Sequence, residues 1–263
     1  MALDKTEAIL LKSFNWSESS RTVVFFTQKF GKLALVDKGG RRFKSKRGRV
    51  QSFARLEITF YNSEKETSGY ISDIDLIEQF SLEKDGSLGR LSYVSAACEL
   101  LHQLLPEEEP QEMLYTFFCK FLSLSDQMEK THLPALFIIF MLKILSQMGY
   151  QPSFSYCAGC SKELKAESKK TNFLFSPSRG GIICSTCQTA GEYYIHLSSE
   201  NLKLLQLMQR SSLNEAELIQ IGYQQAIMMI EIIEEHLGFQ ADLKHRLKSL
   251  KFLEKLKNSQ LLN

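Results

Sequence analysis

Hydrophobic and polar positions alternate with a period near two along the first eighty residues, then shift to three- and four-residue spacing after Ser81. Within the first stretch, Glu7–Phe14, Arg21–Thr27, Lys32–Lys38, Phe53–Tyr61 and Gly69–Glu78 read as strands. Arg21–Thr27 (RTVVFFT) is β-branched and aromatic throughout. Phe53–Tyr61 sets Leu56, Ile58 and Phe60 against Glu57, Thr59 and Tyr61, the pattern of a half-buried strand. Gln28-Lys29-Phe30-Gly31 supplies a hairpin turn, with Gly where a positive φ is needed.

After Ser81 the apolar spacing predicts helices over Leu91–Leu105, Glu112–Leu124 and Leu133–Met148, the last nearly apolar all round, as in the centre of a bundle. Ser198–Gln209 follows with Ser198 as N-cap, then Asn214–Leu237, stopped by Gly238. Ala241–Lys257 turns Leu243, Leu247 and Leu250 inward and six Lys or Arg outward. That face is either simply solvated or a second contact for a polyanion. The expected class is α+β. A five-stranded barrel of the oligonucleotide-binding (OB) type fills residues 1–80, and an α-helical domain fills 81–263.

Charge changes this picture at one place. Lys38 to Arg49 reads KGGRRFKSKRGR, seven cations among twelve residues and no acid. Residues 1–62 carry thirteen Lys or Arg against five acids, in a chain whose net charge is only +2. A solvated loop is the plain alternative. The position of the run between the third and fourth strands favours a nucleic acid, because phosphates neutralised by Lys and Arg release condensed counterions. Arg41, Arg42, Lys44, Lys46, Arg47 and Arg49, helped by Arg21 and Lys38, are the candidate phosphate contacts. Phe43 offers a stacking face.

Four of six cysteines are organised as Cys157-x2-Cys160 and Cys184-x2-Cys187, 23 residues apart. Paired knuckles of this spacing suit one tetrahedral Zn²⁺, with Thr171–Ser176 and Gly181–Ile183 as a ribbon between them. This module is expected as an insertion at about 153–190. Four thiolates close the coordination sphere and leave no position for water activation, so the metal is structural. A nucleobase deaminase would need His-x-Glu ahead of its Pro-Cys-x-x-Cys, and none occurs. Cys98 and Cys119 sit in apolar helical patterns and read as core thiols.

No phosphate-binding GxxxxGK[ST], GxSxG, HExxH or GxGxxG is present, and the five histidines are scattered singly, so no enzyme is expected. The N-terminus lacks a secretory pattern, and the longest apolar stretch, Leu133–Leu142, is about half a membrane span. A cytoplasmic chain with no membrane association is the expectation.

Taken together, TEAILLKSFNWSESSRTVVFFTQKFGKLALVDKGGRRFKSK, QSFARLEITFY, the four-cysteine knuckle and HLGFQADLKHRLKSLKFL resemble the bacterial RecO recombination mediators over nearly the whole chain. Asp37 just before the basic run and Gln240-Ala241-Asp242 depart from that pattern. The resemblance implies binding of single- and double-stranded DNA, annealing of complementary strands and association with RecR. It further implies recognition of the acidic C-terminal tail of single-strand-binding protein, help in loading RecA at gaps, and a nucleoid-associated location. A barrel-plus-zinc RNA-binding or translation factor, and an adaptor that binds no DNA, are the rival classes.

Overall fold

The computed structural model describes residues 2–15, 18, 20–40, 50–62, 69–82, 88–164, 172–241 and 247–251. All five expected strands are present as β1 (Ala2–Asn15), β2 (Arg21–Thr27), β3 (Gly31–Asp37), β4 (Ala54–Asn62) and β5 (Gly69–Gln79). They close into a barrel in the order β1-β2-β3-β5-β4, with β4 returning to β1. Among the described barrel strands, β3 and β5 alone pair with each other in parallel, through Leu35 opposite Gly69 and Val36 opposite Tyr70. This is OB topology, in which closure removes the strand edges. Val23, Phe25, Leu35, Leu56, Ile58 and Phe60 fill the interior.

Two compact units emerge, Met1–Gln127 with Leu247–Asn263, and Met128–Arg246. The first unit holds the barrel together with the helices α1 (Leu88–Leu104) and α2 (Glu112–Gln127), which pack on it. Phe26, on the outer face of β2, meets Tyr115 edge-on at 5.5 Å and Phe118 at 6.4 Å. The β2 phenylalanines are therefore buried on both faces of the sheet, which explains why RTVVFFT shows no alternation.

The exposed Glu107–Glu109 run helps join these parts. Lys32 is buried, donates its Nζ to the His102 carbonyl at 3.0 Å and pairs with Glu107 at 3.1 Å. Gly31, at φ +68°, faces the Glu109 backbone, where any Cβ would collide. After the second unit the chain returns to α1. Leu247 and Leu250 are buried there, and Ser249 Oγ donates to Glu99 Oε1 at 3.0 Å. Lys248 and Lys251 face solvent. The remaining cations expected on this helix lie outside the described residues.

The second unit is organised by α3 (Leu133–Gln147), eleven of whose fifteen residues are buried. α4 (Ser199–Arg210) begins as expected, with the Ser198 hydroxyl accepting the Asn201 N–H at 3.2 Å. The long helix expected over Asn214–Leu237 is instead a 3-10 segment, Leu213–Leu218, followed by α5 (Tyr223–Gln240). Ile219 and Gly222 adopt extended backbone between them, as a buried β-branched residue and a glycine permit. Gly238 does not end α5. The helix runs on to Gln240, whose amide donates to the Pro177 and Ser178 carbonyls at 3.1 and 2.9 Å.

Those carbonyls belong to the turn between β6 (Asn172–Ser176) and β7 (Gly181–Ile183), and β8 (Ile195–Ser198) pairs on the far side of β6. His236 of α5 stands beside this ribbon, its ring 6.0 Å from that of Phe175. Its Nε2 lies 2.6 Å from the Tyr150 carbonyl, so it carries the proton and donates. Nδ1 is then the bare nitrogen, buried with no hydrogen-bond partner among the described residues. Burial lowers the pKa of this histidine, against the carbonyl's smaller opposing effect. The neutral ring is therefore the folded form, and its contribution is present above the unfolded pKa near 6.5 and lost as pH falls through the folded value. Chemical denaturation between pH 7.5 and 5 should show stability decreasing by up to about 1.4 kcal/mol per pH unit within that window. In His236→Gln, which keeps a donor for Tyr150, that part of the slope should vanish. An unchanged slope would show that the acid sensitivity comes from elsewhere.

Candidate nucleic-acid interface and metal centre

β3 delivers the chain to the basic run through Asp37, Lys38, Gly39 and Gly40. The Asp37 carboxylate is buried and accepts the Arg21 Nε–H from β2 at 3.0 Å. Gly40 lies over that carboxylate so closely that a Cβ would collide with it. Gly39 takes φ +75°. The departure at Asp37 thus has a physical role: it clamps the stem from which the run leaves the barrel.

Of the eight candidate phosphate contacts, the structure describes Arg21 and Lys38. Arg21 is largely buried in its pair with Asp37. Lys38 is exposed, its ammonium 3.5 Å above the ring of Tyr70 on β5. Arg41, Arg42, Lys44, Lys46, Arg47 and Arg49 lie outside the described residues. Sequence alone does not single out Tyr70, because its nearness to Lys38 depends on the parallel β3–β5 pairing, which no local pattern reveals.

In the second unit the sulfurs of Cys157, Cys160, Cys184 and Cys187 all lie within 4.8 Å of one another. Cys160 and Cys184 Sγ are 3.7 Å apart, close to the ~3.8 Å edge of a tetrahedron with metal–sulfur bonds of ~2.3 Å. The first knuckle is built by backbone. Cys157 N donates to Lys162 O at 2.8 Å, Ser161 N to Cys157 O at 2.8 Å, and the Gly159 N–H points at Cys157 Sγ at 3.4 Å. A Cβ on Gly159 would come within 2.9 Å of Cys187 Cβ, so the two knuckles touch where only glycine fits. β6 and β7 carry the second knuckle to the first, and the Cys184 N–H donates to Cys157 Sγ at 3.3 Å. Arg179 braces it, donating to the Cys187 carbonyl at 3.0 Å and Thr189 Oγ1 at 2.8 Å while pairing with Glu192 at 2.7 Å. Glu192 is held below the usual carboxylate range, chiefly by the Ser176 hydroxyl.

These surroundings favour the thiolate at Cys157 and Cys184. Burial acts to raise the Cys157 pKa, but N–H donors from Cys184, Gly159 and Cys160 outweigh it and the net direction is down. The Thr186 hydroxyl is the main cause that brings Cys184 down to about 6. Cys187 is pushed up to about 12 by the neighbouring sulfurs of Cys184 and Cys160. The four sulfurs cannot all carry charge without a cation among them, and the set is compatible with a structural metal site. By contrast Cys98, raised to about 12, and Cys119, raised to about 11, are held as thiols mainly by burial. No helix among the described residues is long and apolar enough to cross a membrane.

Residues 1–80 match the family model described as Recombination protein O N terminal, and residues 86–251 match that described as Recombination protein O C terminal. A protein of Symbiobacterium thermophilum named DNA repair protein RecO is 28% identical over 98% of this chain and 100% of its own length. One of the same name from Clostridium novyi is 28% identical over 99% and 97%. Another, from a Thermoanaerobacter species, is 34% identical over 72% of each.

Proposed function

The chain belongs to the RecO family, and on that premise we propose that it acts in DNA repair and homologous recombination as a mediator that binds single- and double-stranded DNA and anneals complementary strands. The observation that carries this is the OB barrel whose third strand leads, through a clamped stem, into a run of seven cations. Residues 1–80 serve as the DNA-binding domain. Lys38, Arg41, Arg42, Lys44, Lys46, Arg47 and Arg49 neutralise phosphates, and Arg21 positions the stem they leave from. Annealing is electrostatic: cations offset the repulsion between two sugar-phosphate chains, so complementary bases can meet. No step requires hydrolysis of a nucleotide.

The metal is one structural Zn²⁺ held by Cys157, Cys160, Cys184 and Cys187, which when bound balances the thiolate charge and locks the two knuckles. RecR and the acidic tail of single-strand-binding protein are the proposed partners, with RecA loading downstream at coated gaps, in the cytoplasm near the nucleoid. The tail is placed on the helical part.

Binding to single-stranded, duplex and gapped DNA across a salt series tests the function, with transfer RNA as competitor and with or without single-strand-binding protein. Affinity for all three DNAs that falls steeply with salt, together with annealing of coated strands, is the expected result. Preference for transfer RNA over gapped DNA would point to an RNA-binding factor. Absence of a shift at moderate salt would point to an adaptor.

A further inference from the structure

Following the barrel register sideways from Leu3 leads to Tyr61, Tyr70, Val36, Thr22 and Phe14, each opposite the last on a neighbouring strand. The row leaves β1 at position 3 and meets it again at position 14, the stagger that barrel closure imposes. Phe60, Ile71, Leu35 and Val23, adjacent along the strands, fill the core, so this row faces outward. It is apolar yet wet: Leu3 is 58%, Phe14 45% and Tyr61 40% exposed. Two of its rings carry lysines. Lys38 Nζ is 3.5 Å over Tyr70, and Lys12 Nζ is 4.7 Å from the centroid of Phe14.

Tyr70 is half-buried and Phe14 exposed, and rings open to solvent with an ammonium beside them match the needs of a single strand, whose bases stack on aromatic faces while its phosphates seek cations. At Lys38 the row adjoins the basic run. Along β4 and β5 from Tyr61 and Tyr70, the paired positions include Asp73, and Asp75 opposite Glu57. Glu57 is paired with Lys5 at 2.5 Å, and Asp73 and Asp75 repel phosphates, which favours a strand that follows the row.

We infer that Tyr61 and Tyr70, continued by Phe14, form a stacking surface for the bases of single-stranded DNA, with Lys38 and Lys12 as its phosphate partners. A base takes the place of Lys38 over the Tyr70 ring, and the displaced ammonium pairs with the adjoining phosphate. The inference rests on the proposed DNA binding and adds a base-contacting surface to it. It also separates the two DNA forms, because paired bases in a duplex cannot present their faces to a ring.

The test uses the full-length protein, with fluorescence anisotropy on a labelled oligo-dT and on a duplex of equal length, across a salt series. The Tyr61→Ala, Tyr70→Ala double variant should bind oligo-dT about 10–100-fold more weakly at every salt concentration. Its salt slope should be unchanged, since no cation is removed. Duplex affinity should move far less. Tyr61→Phe with Tyr70→Phe keeps both ring faces and should restore oligo-dT binding. If the alanine pair lowers the melting temperature, Tyr61→Leu with Tyr70→Leu keeps the apolar bulk without the ring and should show the same selective loss. Single-strand binding retained without the rings, or equal losses on both DNAs, overturns the inference while DNA binding by the wild type preserves the proposed function. Wild-type protein that binds neither DNA at low salt removes both.

Discussion

Protein carrying Cys160→Ser is expected to purify without zinc and to lose on the order of 3–5 kcal/mol of stability, part of the roughly 10–16 kcal/mol that structural zinc contributes to small modules. Cys160 is the exposed member of the four, so the substitution leaves little cavity behind and reports on the metal. Without the cation, nothing joins the four sulfurs that the two knuckles bring within 4.8 Å of one another. Metal content by mass spectrometry and the melting transition are the measurements. Cys160→His should recover part of both, because three thiolates and an imidazole also satisfy zinc. Purified wild-type protein with no metal and four freely titrating thiols would sink the proposal. Mild oxidants that spare the site should leave DNA binding intact, since the metal performs no chemistry.

Replacing Arg41 and Arg42 together by Ala is expected to flatten the dependence of log K on log salt for single strands by about 1.4, from about 0.7 for each phosphate no longer neutralised. The loss should be similar for every sequence, because phosphate contacts position a strand without reading it. Annealing should fall in parallel. Zinc content and melting temperature should stay near wild type, since arginines rarely contribute to apolar cores. This signature differs from that expected for the tyrosines, where affinity for single strands drops and the salt slope remains. A double variant that binds and anneals normally at moderate salt would reduce the run to a solvated rim.

Local chemistry makes much of the barrel legible in the sequence. Strand boundaries hold to within a residue or so from β2 to β5, because half-buried strands carry their own alternation and their turns carry glycine. β1 is the exception. It starts at Ala2, five residues before the expected Glu7, since its polar opening residues are recruited by pairing with β4 and not by local preference. Strand β8, which the pattern does not predict, has the same cause, being four residues that exist as a strand through β6. The helical breaks mislead for a related reason. Gly238 is a local stop signal overridden by the grip of Gln240 on the β6–β7 turn.

By itself, the sequence determined the α+β class, the four paired cysteines and the basic run, because each is written in residue type and short spacing. Only the tertiary structure decided that Arg21 is spent on a buried Asp37, that Tyr61, Tyr70 and Phe14 share one row with two lysines, and that the barrel forms a unit with α1 and α2. The physical reason is common to all three. Which distant residues face one another follows from barrel stagger and from burial of both sides of β2, quantities set by the closed sheet as a whole and carried by no single stretch of chain.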